Sequence, residues 1–234
     1  MNKNSLLFLL PLFLISCKSD SPIKDAAGAC NAGDYLEVDG IVVIEAEKDS
    51  LPAGWSLETD IEDYTGDGYI VWRGEDSFGN PGNGLISYKV HIKTPGTYRF
   101  NWRSRITIGD NFTEHNDNWM KIPDADDFFA IQGGSSSKLY PHNSGKSPNP
   151  EGAGSDGWFK VYMNTIGSWK WDANTSDNDA HQIYAIFGTE GTYTILVSGR
   201  SNGHGIDRMV LLHVNRSDTD YQSTSHAQTL CTDL

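Results

Sequence analysis

The chain has 234 residues, enough for one domain with a full core, and a formal net charge of −13. So acidic a surface argues against nucleic acid as a partner, because phosphate binding needs a basic face. It also makes carboxylates plentiful enough to hold a hard cation.

At the N-terminus, Lys3 precedes Leu6–Ile15, an apolar run of ten residues broken only by Pro11. That is too short for a permanent membrane helix but suits a signal peptide over residues 1–16. The run ends in Leu14-Ile15-Ser16-Cys17, which resembles the lipobox of bacterial lipoproteins. The resemblance implies a diacylated Cys17 as the new N-terminus and a membrane partner held through lipid. Loss of Lys3 with the signal takes the net charge from −13 to −14. The polar stretch that follows, with acylated Cys17 and residues up to 37, reads as a flexible tether. It is similar to the spacers of Bacteroidetes surface lipoproteins. The expected location is therefore the outer membrane, facing either the cell surface or the periplasm.

With Cys17 committed to lipid, Cys30 and Cys231 remain, near the two ends of the mature chain. An even remainder in an oxidising compartment points to one disulfide, the alternative being two free thiols. Such a bridge would tie down a C-terminal tail, residues 216–234.

Between the ends no long helical period is visible. Short β-branched and aromatic runs alternate with Gly, Asn, Asp and Pro: Ile41–Ala46, Tyr69–Trp72, Leu85–Ile92, Thr97–Ser104, Trp158–Met163, Gln182–Phe187, Thr192–Ser198 and Met209–Val214. This pattern predicts an all-β fold, an antiparallel β-sandwich over residues 38–215. Two segments echo each other. Pro95-Gly96-Thr97-Tyr98 and Glu190-Gly191-Thr192-Tyr193 each place a turn before a strand with Tyr, as two equivalent strands would. Residues 107–157 interrupt the pattern with many acids and a Gly/Ser/Pro-rich run. A connection this long is expected to be an elaborated loop on the binding side.

Ile44-Glu45-Ala46-Glu47 near the start and Gly205-Ile206-Asp207-Arg208-Met209 near the end, with the two Gly-Thr-Tyr strands between, resemble carbohydrate-binding modules of families 6 and 35. The resemblance spans residues 38–215 and implies a jelly-roll sandwich of the galactose-binding-domain type. It also implies a structural Ca²⁺. Glu45 and Glu47, two apart on a strand, leave the same face and repel unless a cation sits between them. If the first and last strands are neighbours, Asp207 supplies a third carboxylate, and calcium accepts such oxygen ligands in a tolerant geometry.

Sugars offer apolar C–H faces to aromatic rings and hydroxyls to polar groups, and the chain has 7 Trp and 10 Tyr. By the resemblance, one ring comes from the loop after the second strand, here Trp72 beside Arg73. A second comes from mid-chain, Trp169 or Trp171. An Asn precedes the last strand, here Asn202 with His204 beside it. The cluster His115-Asn116-Asp117-Asn118-Trp119 adds Trp119 as a groove residue. Arg73, Arg103, Arg105 and Arg200 near aromatic loops point to an anionic polysaccharide such as an algal one, against ordinary pairing with Asp and Glu.

The expected function is thus a non-catalytic, membrane-anchored carbohydrate-binding protein, with other glycan-utilisation proteins as further partners. The competing class is a polysaccharide lyase or glycoside hydrolase. It would use acids of the 107–157 loop, or His115, His142, His181 and His204 with Tyr140 and Tyr184. No Gly-x-Ser-x-Gly, His-Glu-x-x-His or phosphate loop is present. A third class, an adhesion domain, would show a wide apolar patch without convergent polar groups.

Overall fold

This computed structural model describes residues 30–48, 50–217, 219 and 222–233. The signal peptide, the acylation at Cys17 and the first part of the tether lie outside the described residues.

Among the described residues, sixteen strands form the fold. They are β1 (Tyr35–Leu36), β2 (Ile41–Glu45), β3 (Trp55–Glu58), β4 (Tyr69–Trp72), β5 (Ile86–Ile92), β6 (Gly96–Ile106), β7 (Asp117–Lys121) and β8 (Asp127–Gln132). After these come β9 (Lys138–Leu139), β10 (Gly154–Ser155), β11 (Trp158–Tyr162), β12 (Lys170–Trp171), β13 (Asn174–Thr175), β14 (His181–Phe187), β15 (Gly191–Ser198) and β16 (His204–His213). The hydrogen-bonded order runs β1-β5-β15-β7-β11-β13-β14-β6-β16-β4-β3, with β2 on β16. All these pairings are antiparallel except β1 on β5. The two-residue β13 carries the ladder from β11 to β14, so the sheet curls and its halves close on one core. Tyr88, Val90, Ile195 and Val197 of one half share that core with Phe100, Trp102, Met209 and Leu211 of the other. The fold is the all-β sandwich expected from the alternating runs.

The first long strand does lie beside the last: Glu45 pairs with Arg208 and Ile41 with Leu212. The two Gly-Thr-Tyr strands are equivalent in a physical sense. The Tyr98 hydroxyl donates to the Thr94 carbonyl at 2.8 Å, and the Tyr193 hydroxyl donates to the Thr189 carbonyl at 2.8 Å. Each ring pins the turn before its own strand, and both pack on Phe187.

Two boundaries differ from expectation. The domain begins by Cys30, not at 38. Leu36 is buried and its N–H donates to the Thr229 carbonyl. Glu37 is buried too, with carboxylate oxygens accepting from the backbone N–H groups of Gly40, Lys93 and Thr94. Burial pushes the Glu37 carboxyl up, but these donors together hold it below the usual carboxylate range. The Cys30–Cys231 disulfide closes the domain, with Cα atoms 5.4 Å apart. The second difference is in residues 107–157, which are not one loop. They contribute β7 between β15 and β11, and β8 beside β14. Asn118, Trp119 and Met120 are buried there despite the polar letters around them.

Candidate functional site

The loops at one end of the sandwich enclose a cleft of about 890 Å³. The turn after β4 contributes Asp76 and Phe78, the segment before β7 contributes Phe112, Glu114 and His115, and β7 itself opens with Asp117. Lys160 and Tyr162 come from β11, Asp177 from the turn after β13, and Arg200 and Ser201 from the turn before β16. Phe78 and Phe112 are exposed, at 56% and 53%.

The floor is pre-organised. Asp117 is buried and accepts hydrogen bonds from Arg200 Nη1 and Ser201 Oγ. The Arg200 guanidinium lies 4.9 Å from the Phe78 ring centre and 5.0 Å from that of Trp119. Lys160 pairs with Asp177. The Tyr162 hydroxyl donates to the Ser176 carbonyl at 3.1 Å. Burial, then the charges of Asp177, Asp172 and Asp179, push the phenol up to about 12, so it is a neutral donor at physiological pH rather than a base.

The residues expected to read a ligand fall differently. Trp72 is 4% exposed and is not a stacking ring. Its indole sits among four glycines. A Cβ on Gly54, Gly74 or Gly84 would lie 2.4 Å from the ring, and one on Gly199 would lie 2.0 Å from it. The ring meets Trp55 edge to face, and its Nε1 donates to the Glu75 carbonyl. Trp119 is also buried. It holds the cleft from beneath, its Nε1 donating to the Ser77 carbonyl and its ring stacked under Arg200.

Trp169 is buried against Tyr69, with Nε1 donating to the Glu62 carbonyl. Trp171 is half-buried and packs against the Ile41, Val43, Val210 and Leu212 cluster. Neither lines the cleft. His204 is fully buried, its Nδ1 2.9 Å from Asn118 Nδ2, and burial lowers its pKa to about 3. It is a neutral core histidine and is not available to a ligand. Arg73 is engaged by Glu58 through two hydrogen bonds of 2.7 and 2.6 Å. Asn202 stands beside the cleft as a tie. Its N–H donates to Asp76 Oδ1, its Nδ2 to the Gly74 carbonyl, and its own carbonyl accepts from His115 Nδ1.

The rings that do stand open, Phe78 and Phe112, lie in stretches with no strand period. The sequence pattern does not single them out, and their place in Gly-, Asn- and Asp-rich turns is the only signal that could have done so.

A second cluster gathers the three acids expected to hold a cation. Thr65 Oγ1 lies 2.7 Å from Glu45 Oε2 and 3.2 Å from Asp207 Oδ1, and the Thr65 N–H donates to Asp207 Oδ1. The Asp67 N–H donates to Glu47 Oε1 at 2.8 Å. Gly66, at φ 63°, lets this turn cross the acids, where any Cβ would lie 1.9 Å from Glu47 Oε1. Arginines take part of the charge: Arg103 Nη1 donates to Asp207 Oδ2 at 2.6 Å, and Arg208 Nη2 donates to Glu45 Oε1. Three carboxylates against two guanidiniums leave one negative charge. Glu47 Oε2 is buried with no partner. Burial, then repulsion from Glu45 and Asp207, raise the Glu47 carboxyl, while the Asp67 N–H opposes them. Among the described residues, no three His, Cys, Asp or Glu side chains are grouped closely enough to hold a metal ion as they stand.

Fold and cleft together define a β-sandwich with a loop-built, ring-rimmed site at one end. No family model matches the chain, and no curated protein matches it. Among solved structures it is similar to a GH26-CBM35 β-(1,4)-mannanase from Podospora anserina, at 20% identity and TM-score 0.45, covering 77% of this chain and 29% of that one. It is also similar to a CBM35 from Paenibacillus barcinonensis, at 17% identity and TM-score 0.38, covering 73% of this chain and 97% of that one. A cycloisomaltooligosaccharide glucanotransferase from Paenibacillus sp. aligns at 15% identity and TM-score 0.40, covering 76% of this chain and 19% of that one. The chain thus spans less than a third of either of the two enzymes.

Proposed function

We propose that this protein binds a carbohydrate in the cleft between Phe78 and Phe112 and does not cleave it. The observation that carries the reading is the pairing of two exposed rings with a polar floor locked by Asp117, Arg200 and Ser201. Rings on the rim can cover sugar C–H faces while Asp76, Glu114 and His115 reach hydroxyls. Binding at so open a site is expected in the micromolar to millimolar range, about −4 to −8 kcal/mol. Many anchored copies on one polymer would add avidity.

Affinity electrophoresis through a panel of polysaccharides, with assays for new reducing ends and unsaturated products, tests both halves of the proposal. Retardation without product supports it. Product formation would convert the cleft to an active site. Phe78→Ala and Phe112→Ala should each weaken retention about tenfold with melting unchanged.

The reading includes two further parts. Acylation of Cys17 after removal of residues 1–16 would place the domain on the outer membrane. Its support is the lipobox-like Leu14-Ile15-Ser16-Cys17, and mass spectrometry of the N-terminal peptide from cells tests it. Ca²⁺ would be held by Glu45, Glu47 and Asp207. Its support is the hard-oxygen donor set, the residual negative charge and the unpartnered Glu47 Oε2. When bound, the ion would supply charge neutralisation where the first and last strands meet. Chelator-stripped protein should gain thermal stability on adding calcium, with no change if the two arginines already suffice.

A further inference from the structure

We infer that the cleft selects a glycan carrying no acidic groups and excludes uronate-rich or sulfated chains, which rests on the reading of this cleft as a glycan site. Its lining contains four carboxylates, Asp76, Glu114, Asp117 and Asp177, against two cations, Lys160 and Arg200. Both cations are already committed. Lys160 faces Asp177 and Arg200 faces Asp117, each within ion-pair distance. Arg200 is closed off further by the Phe78 and Trp119 rings, its side chain only 14% exposed and its Nε buried.

An anionic sugar that claims the Arg200 charge does so at the expense of Asp117. That carboxylate would then be left buried at 4% exposure without its cation. Stranding a buried charge in this way costs more than a new ion pair with the sugar supplies. Asp76 and Glu114 are exposed beside the rings and carry no cation partner among the described side chains, so a passing carboxylate or sulfate meets net repulsion. The overall charge of −13 adds the same sign at long range. Of the other arginines that hint at an anionic ligand in the sequence, Arg73 is engaged by Glu58 and Arg103 by Asp207 and the Asp63 carbonyl, while Arg105 lies against the Trp169 ring and does not line the cleft. Hydroxyl-rich chains without charge, or bearing amines, suit acceptors of this kind.

The experiment is affinity electrophoresis of the intact mature domain through neutral mannan, glucan and galactan, soluble chitosan, alginate and a sulfated galactan, at low and high salt. At least one non-acidic chain should retard the protein, and the acidic chains should bind about tenfold more weakly or worse. In the Asp76→Asn, Glu114→Gln double variant, the deficit on alginate should shrink about threefold at low salt and not at high salt. Alginate or sulfated galactan binding as tightly as the best neutral chain would overturn this selectivity while leaving the glycan reading intact. So would a double variant that leaves the alginate deficit unchanged. Retardation by none of the chains would overturn both.

Discussion

Replacing Trp72 with Ala separates a structural ring from a ligand ring. The indole is almost wholly buried, enclosed by the backbones of Gly54, Gly74, Gly84 and Gly199 and by Trp55. Burying an aromatic side chain of roughly 200 Å² is worth about 5 kcal/mol at 25 cal/mol per Å², as an upper bound. The lost edge-to-face contact with Trp55 adds about 1 kcal/mol, and partial collapse of the glycine turns returns some of it. A net cost of about 3–5 kcal/mol corresponds to a fall in melting temperature of about 8–15 °C for a domain of this size. Calorimetry alongside urea unfolding measures it. The converse change, Gly199→Ala, should destabilise through the same ring, because the new methyl lies 2.0 Å from Trp72 Cδ2 with the backbone holding both. If Trp72→Ala melts within about 2 °C of the parent yet loses glycan retention, the ring faces a ligand and the burial argument is wrong.

Tyr98→Phe and Tyr193→Phe should each cost about 1 kcal/mol in urea unfolding, since each hydroxyl holds the carbonyl four residues before it. A large cost at one and none at the other would break their equivalence. His204 sets a pH dependence. The unfolded imidazole protonates near 6.5 and the folded one only near 3, so its contribution is complete above pH 6.5 and is lost as pH falls toward 3, about 2 kcal/mol by pH 5. Urea unfolding of His204→Gln should lose that much less stability than the parent between pH 7 and 5, and an identical slope would refute the assignment. Reducing Cys30–Cys231, or replacing both with Ser, should lower stability by about 5 kcal/mol by chain entropy for a separation of 201 residues. An unchanged urea midpoint with and without reductant would contradict it.

The fold was legible because its signals are local and repeated. Alternation over Ile86–Ile92 and His181–Phe187 fixes which side faces inward, and burial follows it throughout His181–Phe187 and, except at the buried His91, along Ile86–Ile92. The adjacency of first and last strands was legible only as a condition, through the demand that Glu45 and Glu47 find a partner. The β7 strand was hidden because its end residues, Asp117 and Lys121, and the His115-Asn116 before it look like loop chemistry. Asp117 is buried not by propensity but by Arg200 and Ser201, more than 80 residues away.

The tryptophans fall differently from expectation for a related reason. Whether a tryptophan is core or site depends on what crosses over it, and Trp72 is covered by backbone from four separated turns that no window of sequence brings together. Trp169 and Trp171, two apart in sequence, part to different clusters because only Trp171 belongs to a strand. Arginine near aromatics was likewise ambiguous until the acids beside Arg73, Arg103 and Arg200 were in place. Arg73, Arg103, Arg200 and Arg208 pair with Glu58, Asp207, Asp117 and Glu45, ties that allow an acidic protein to bury carboxylates. On the selectivity proposed for this cleft, the same pairing that ties the loops also sets the sign of the site.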